Sequence, residues 1–245
     1  KLNTHSAFVV FFYFLLLNFN FSLNAQQTEK IYLSGKGSDN TVSWDFYCTG
    51  GMKANKWTTI AVPSCWELQG FGKYDYGYAK DSIRGKEKGL YKKTFNVPAA
   101  WKGKVINIVF EGVMTDAEVK VNGKSAGAVH QGAFYAFKYD ITQLLKYGKS
   151  NLLEVTVSKH SANASVNTAE RKADFWIFGG IFRPVWLEAL PEVHIKEYSI
   201  NAKATGEILG TFYTNKWADS RAIVSIRNNK GELVDTITAT DIGSN

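Results

Sequence analysis

Proline, histidine, cysteine and methionine are scarce in this chain, at four, four, two and two among 245 residues. The histidines (His5, His130, His160, His194) and the cysteines (Cys48, Cys65) are too scattered to make a zinc site. Two cysteines in a chain of this length do not make a disulfide framework, so buried free thiols are the expectation. No run of about 20 apolar residues occurs, which excludes a membrane-spanning helix. Charge of one sign is not in large excess either: 29 Lys and Arg against 22 Asp and Glu give +7. That excess is dispersed, without a basic stripe or a recognition motif, and nucleic-acid binding is excluded on that pattern. With 45% hydrophobic and 21% charged residues, the composition is that of a folded globular protein rather than a disordered one.

The N-terminus reads as an export signal. Lys1 and His5 precede the apolar run 7–17, AFVVFFYFLLL, and a more polar stretch ends in Leu23-Asn24-Ala25. A basic start, a short apolar centre and a small residue at the boundary describe a secretory signal peptide over 1–25, cleaved after Ala25. Export to the periplasm or the extracellular space follows from it.

Beyond residue 25 no segment sustains a helical 3.6-residue period with caps. Short alternating runs recur instead, separated by turn residues, which is the pattern of an all-β sandwich. Strands are predicted at 42–47, 57–62, 90–97, 105–110, 117–121, 126–130, 136–139, 152–157 and 185–190. Asn122-Gly123 is a two-residue hairpin signal, because both central positions of a type I′ turn need positive φ. Residues 140–145 open on Asp140, an N-cap residue, and are expected to form one short helical turn. Eight or nine strands within 26–190 suit a jelly roll. At Leu190-Pro191-Glu192 the rhythm restarts, with strands predicted at 194–202, 208–213, 222–227 and 233–239. About four strands are half of an immunoglobulin-like sandwich, so 191–245 is expected to be part of a second such domain, cut off within it. Aromatic residues reach 14%, with 7 Trp, 12 Tyr and 16 Phe. They fit either a half-buried sheet core or a surface that stacks on sugar rings.

Three stretches carry more specific information. The first is Val62-Pro63-Ser64-Cys65-Trp66-Glu67. The second runs from Gly89-Leu90-Tyr91 to Val97-Pro98, followed by Val109-Phe110-Glu111-Gly112-Val113 and Val119-Lys120-Val121-Asn122-Gly123. The third is Asp174-Phe175-Trp176-Ile177-Phe178-Gly179-Gly180-Ile181-Phe182-Arg183-Pro184-Val185. In this order they resemble the N-terminal sugar-binding domain of glycoside hydrolase family 2, and most closely its bacterial β-galactosidases. The resemblance covers about 42–190, and 191–245 is similar to the start of the immunoglobulin-like domain that follows in that family.

The resemblance implies a further TIM-barrel domain carrying two catalytic glutamates, since retaining hydrolysis uses a nucleophile and an acid/base about 5–5.5 Å apart. No catalytic residue is assignable in this chain, which is expected to be inactive alone. Glu67, Glu111, Glu118 and Glu154 read as residues of solvated faces. The resemblance assigns Asp174 a role at the substrate, accepting hydrogen bonds from sugar hydroxyls and, in some members, helping to hold a sodium ion; a magnesium ion belongs to the complete enzyme. A carboxylate suits such work, having acceptor oxygens and no donor. The bland alternative for Asp174 is a loop acid capping a turn. Trp176 reads either as a wall of the same pocket or as a core residue, and Asp75 and the tyrosines of Tyr74-Asp75-Tyr76-Gly77-Tyr78 are further candidates for substrate contact. Arg183 is expected to anchor its loop through its planar fork of donors. The implied substrate is a β-galactoside-containing oligosaccharide or polysaccharide, and the complete enzyme is a candidate homo-oligomer. Two alternatives stand beside this reading: a stand-alone carbohydrate-binding module, and a β-glucuronidase-like member of the same family.

Overall fold

The structure is a computed structural model that describes residues 27–80, 83–216 and 222–239. The expected signal peptide lies outside these residues. Alternating sequence builds two antiparallel sheets. One is six-stranded, in the order β3 (Trp57–Val62), β2 (Val42–Cys48), β5 (Lys88–Asn96), β10 (Ser150–Ser158), β7 (Asp116–Val121) and β8 (Lys124–Ser125). The other is four-stranded, in the order β1 (Glu29–Tyr32), β12 (Val185–Leu190), β6 (Val105–Phe110) and β9 (Phe137–Asp140). Side chains two apart share a face of a strand. Trp44, Phe46 and Cys48 of β2, Leu153, Val155 and Val157 of β10, and Ile106, Ile108 and Phe110 of β6 therefore all point into one core. The fold is an all-β jelly-roll sandwich.

The Asn122-Gly123 turn forms as the sequence predicts, with φ of 53° and 78°, and joins β7 to β8. The predicted turn after Asp140 is a 3-10 segment at Thr142–Leu144, with the Thr142 N–H donating to Asp140 Oδ1 at 2.9 Å. The strand predicted at 126–130 does not form. Gly127 sits within it, and only the Ala126 N–H bond to the Val119 carbonyl and a bridge between Ala117 and His130 remain of a ladder. A seven-residue helix, α1 (Ala164–Glu170), capped by Asn163 accepting from the Ser165 N–H, follows β10. Both cysteines are free; Cys48 is buried and Cys65 half-buried, and burial pushes the Cys65 thiol up to about 11. After Leu190 come two separate hairpins, β13 (Ile195–Ala202) with β14 (Ile208–Thr214) and β15 (Ala222–Arg227) with β16 (Leu233–Ala239). Tyr198, Ile200, Ile223 and Val234 on these hairpins are exposed.

Trp66 is the structural pivot nearest the motif loops. Its indole is fully buried, 6.2 Å from the Phe46 ring, and three glycines, Gly72, Gly89 and Gly179, make room for it. A Cβ at Gly89 would lie 2.7 Å from Cζ3 of Trp66, and one at Gly179 would overlap the same ring. The indole is rigid and hemmed in, so it cannot give way cheaply. Gly179→Ala is expected to cost about 1–3 kcal/mol as an overpacking change. Thermal melting checks it: a domain of this size loses ~2–4 °C per kcal/mol, and an unchanged Tm would mean that Trp66 shifts freely.

Candidate functional site

The third motif folds back on the 74–78 segment. Two short strands, β4 (Asp75–Tyr76) and β11 (Trp176–Ile177), pair antiparallel, with Trp176 opposite Tyr76 and Ile177 opposite Asp75. Period-two alternation then splits this ladder into two faces. Tyr74, Tyr76 and Trp176 form the outer face, joined by Tyr78. Tyr74 and Tyr76 lie 6.1 and 5.6 Å from Trp176, both edge-on, and Tyr76 and Tyr78 are 6.2 Å apart. Trp176 is 55% exposed, which removes the core reading of this residue. Asp174 is also exposed, and Oδ1 accepts a hydrogen bond from the Tyr76 hydroxyl. An oriented carboxylate therefore stands at the edge of a platform of exposed aromatic rings. Rings of this kind offer apolar faces while the carboxylate accepts from hydroxyl donors.

Asp75 faces the other way and is corrected here. It is 3% exposed, accepts the Gly85 N–H at 2.9 Å, and lies 3.2 Å from Lys159 Nζ. It supports the platform from below rather than offering its carboxylate to a ligand. Glu67 is a second correction, since it is 1% exposed rather than solvated. Lys159 Nζ sits 2.8 Å from Glu67 and 3.1 Å from Glu87, and donates to the Lys73 carbonyl. Glu67 also accepts the Gly179 N–H at 3.0 Å, and Glu87 the Lys73 N–H at 2.9 Å. One buried ammonium thus ties together the loop after β3, the loop before β5 and the third motif. Burial pushes the Glu67 carboxyl up, with Lys159 opposing. Burial pulls the Lys159 ammonium down, but attraction from Glu67, Glu87 and Asp75 outweighs it, and the net shift is upward. Arg171, buried nearby, donates from Nε to the Thr115 hydroxyl at 2.6 Å, and burial pulls its pKa down to about 10.

Arg183 donates to the Phe134 carbonyl at 3.3 Å and lies 5.0 Å over the Phe182 ring, joining the third motif to the loop before β9. Among the described residues no group of three or more His, Cys, Asp and Glu is placed to hold a metal ion. At the platform one carboxylate, already bonded to a phenol, does not by itself make a sodium or magnesium site.

Sequence reasoning missed Lys159 and Glu87, while the tyrosines of 74–78 were candidates without an assigned partner. Lys159 carried a readable signal: Leu153, Val155 and Val157 set the inward phase of β10, and Lys159 continues it. A lysine on the buried phase of a strand requires carboxylate partners.

A β-sandwich that presents aromatic rings around an oriented carboxylate has the layout of a carbohydrate-binding domain. The chain belongs to glycosyl hydrolase family 2: the family's sugar-binding domain matches residues 44–191. A β-galactosidase of Thermoanaerobacter pseudethanolicus is 38% identical over 137 residues, covering 56% of this chain and 17% of that protein. A β-galactosidase of Bacteroides ovatus is 29% identical over 215 residues, covering 82% and 22%. A β-glucuronidase of Bacteroides fragilis is 33% identical over 178 residues, covering 72% and 22%. The chain thus spans about a fifth of the length of these relatives. Among solved structures, a β-glucuronidase from Ruminococcus gnavus in complex with D-glucuronic acid superposes with a TM-score of 0.66 at 21% identity, covering 89% of this chain and 39% of that one.

Proposed function

We propose that this chain is the non-catalytic N-terminal portion of an exported retaining glycosidase that acts on β-galactosides. Its jelly roll occupies 26–190, and 191–245 belongs to an immunoglobulin-like sandwich. The observation that carries the reading is the Tyr76–Asp174 hydrogen bond beside the exposed Trp176. In the complete enzyme Asp174 accepts hydrogen bonds from hydroxyls of the bound sugar, Trp176 walls the pocket, and the nucleophile and acid/base come from another domain. Any sodium at Asp174 draws its remaining oxygen donors from outside the platform. The basic start and short apolar run of the first 25 residues support export. The β-galactosidases among the relatives support the substrate, and the β-glucuronidases among the relatives and the solved structures mark the rival.

The test is hydrolysis by the full-length protein of 4-nitrophenyl β-galactoside and 4-nitrophenyl β-glucuronide. The galactoside is expected to be turned over with kcat/KM higher by about tenfold or more, the equivalent of ~1.4 kcal/mol in transition-state binding. A preference for the glucuronide would overturn the substrate. Saccharide binding with no turnover of either would favour a stand-alone binding module.

A further inference from the structure

Two indoles of the jelly roll are exposed among the described residues. Trp44, Trp66, Trp101 and Trp186 are all 7% exposed or less, whereas Trp176 is 55% and Trp57 45% exposed. Trp176 stands at the platform beside Asp174. Trp57 stands on the outer face of the six-stranded sheet, and its neighbours there follow from the strand periods. Trp44, Phe46 and Cys48 of β2 point inward, so Asp45 and Tyr47 face out. Ile60 and Val62 of β3 point inward in the same way, which leaves Trp57 and Thr59 outside. The register sets Tyr47 opposite Trp57, and Asp45 opposite both Thr59 of β3 and Lys92 of β5. Asp45 is thus diagonal to Trp57, within reach of long side chains.

Asp45, Trp57, Thr58, Thr59 and Lys92 line a cleft of about 450 Å³. Its size is that of a small-ligand site. The Tyr47 ring lies 5.6 Å from that of Trp57, and its hydroxyl donates to Asn55 Oδ1 at 3.2 Å, which anchors the pair to the β2–β3 connection. Lys92 Nζ lies 4.8 Å from the Trp57 ring and 3.7 Å from Glu154, so an ammonium donor is held beside the indole. Asp45 is exposed, and its carboxylate accepts no hydrogen bond and forms no ion pair among the described residues. Thr58 and Thr59 add hydroxyls that both donate and accept. One carboxylate and one ammonium leave the lining without net charge, which fits a neutral, hydroxyl-rich ligand with an apolar face for the indole. The layout repeats that of the platform, where an exposed tryptophan stands near a tyrosine and a carboxylate. Cleft and platform share no residue.

We infer that this cleft binds a neutral stretch of a galactose-containing polysaccharide, giving the chain a second hold on a polymeric substrate besides Asp174. The inference rests on the galactoside reading for the identity of the sugar, and on Trp57, Asp45 and Lys92 for the site. A polymer held there raises the effective concentration of its galactosyl units at the platform without a new contact to the sugar at Asp174.

Native electrophoresis of the full-length protein through gels containing linear β-(1→4)-galactan or arabinogalactan tests it. At least one polymer is expected to retard the parent, with binding weakened about tenfold in Trp57→Ala and about threefold in Asp45→Ala. Asp45→Ala breaks no hydrogen bond among the described residues, so it carries the test if Trp57→Ala fails to fold without its contact to Tyr47. Asp174→Ala is expected to keep the retardation. No retardation of the parent, or retardation that survives both Trp57→Ala and Asp45→Ala, overturns the inference. If only Asp174→Ala abolishes it, the polymer binds at the platform alone, and the inference falls while the galactoside reading stands. If Trp57→Ala changes the elution volume on size exclusion and leaves retardation intact, this face is an interface between copies and the inference falls. Retardation that depends on Trp57 in a protein that turns over no β-galactoside keeps the cleft and removes the galactoside reading.

Discussion

Lys159→Met is expected to be the most destabilising single substitution in the jelly roll. Methionine keeps the length of the stem and removes the charge. Three carboxylates, Glu67, Asp75 and Glu87, lie within 3.2 Å of the ammonium, and all are nearly inaccessible to water. Taking away the one cation leaves buried negative charges facing one another, and breaking a buried ion pair from one side costs about 3–5 kcal/mol. Against a net domain stability of about 5–15 kcal/mol, that is a large share. A fall in Tm of about 6–20 °C follows at pH 7, taking ~2–4 °C per kcal/mol. The pH dependence gives a second readout. Burial already holds the Glu67 carboxyl above its ordinary value with Lys159 opposing, so loss of Lys159 raises it further. A carboxyl whose folded pKa exceeds its unfolded one gains stability as pH falls through the folded value towards the unfolded one. The deficit of the variant is therefore expected to narrow on acidification from pH 7 to pH 5. Glu67→Gln should cost less, because the amide oxygen still accepts the Gly179 N–H and Lys159 keeps two carboxylates. Melts of both variants at two pH values check this, and a Lys159→Met protein within about 1 kcal/mol of the parent at pH 7 would sink it.

The same cluster explains why the platform escaped the sequence. Strands long enough to show their period were legible: β2 alternates Trp44, Phe46 and Cys48 inward against Ser43 and Asp45 outward, and β10 does the same over nine residues. The Asn122-Gly123 turn was legible because its chemistry is local. β4 and β11 have two residues each, too few to display a period, and their pairing joins segments about a hundred positions apart. Nothing local distinguishes Asp75, turned in, from Asp174, turned out. Only the pairing of Ile177 with Asp75 puts Asp75 over the core side, and only the Lys159 ammonium makes that position tenable for a charge. The motif order located Asp174 and Trp176 through a family resemblance, while the tyrosines that orient them needed the fold. The helix at 164–170 was illegible for a related reason: seven residues give fewer than two full turns, and its evident signal, Asn163 at the cap, is common in loops as well.

On the proposed β-galactosidase reading, Asp174→Ala in the full-length protein is expected to lower kcat/KM on a β-galactoside by about ten- to a hundredfold while leaving Tm nearly unchanged. The carboxylate is exposed and makes one side-chain hydrogen bond, from Tyr76, so its removal opens no cavity and strands no buried donor. Exposed substitutions of this kind fall within about ±0.5 kcal/mol of the parent. At the sugar the account differs. Hydroxyls that donated to a charged acceptor lose it, and hydrogen bonds to charged groups are worth about 1.5–3 kcal/mol. Each 1.36 kcal/mol of lost transition-state stabilisation is about tenfold in rate, which gives the stated range. Tyr76→Phe isolates orientation from chemistry: the carboxylate remains, but its phenol partner is gone, so the loss should be smaller than that of Asp174→Ala. If Asp174 merely capped the turn into β11, the pattern would invert, with a lower Tm and a normal kcat/KM in the folded fraction. Measuring both quantities on the same two variants separates the cases, and normal kinetics in Asp174→Ala would remove Asp174 from the site.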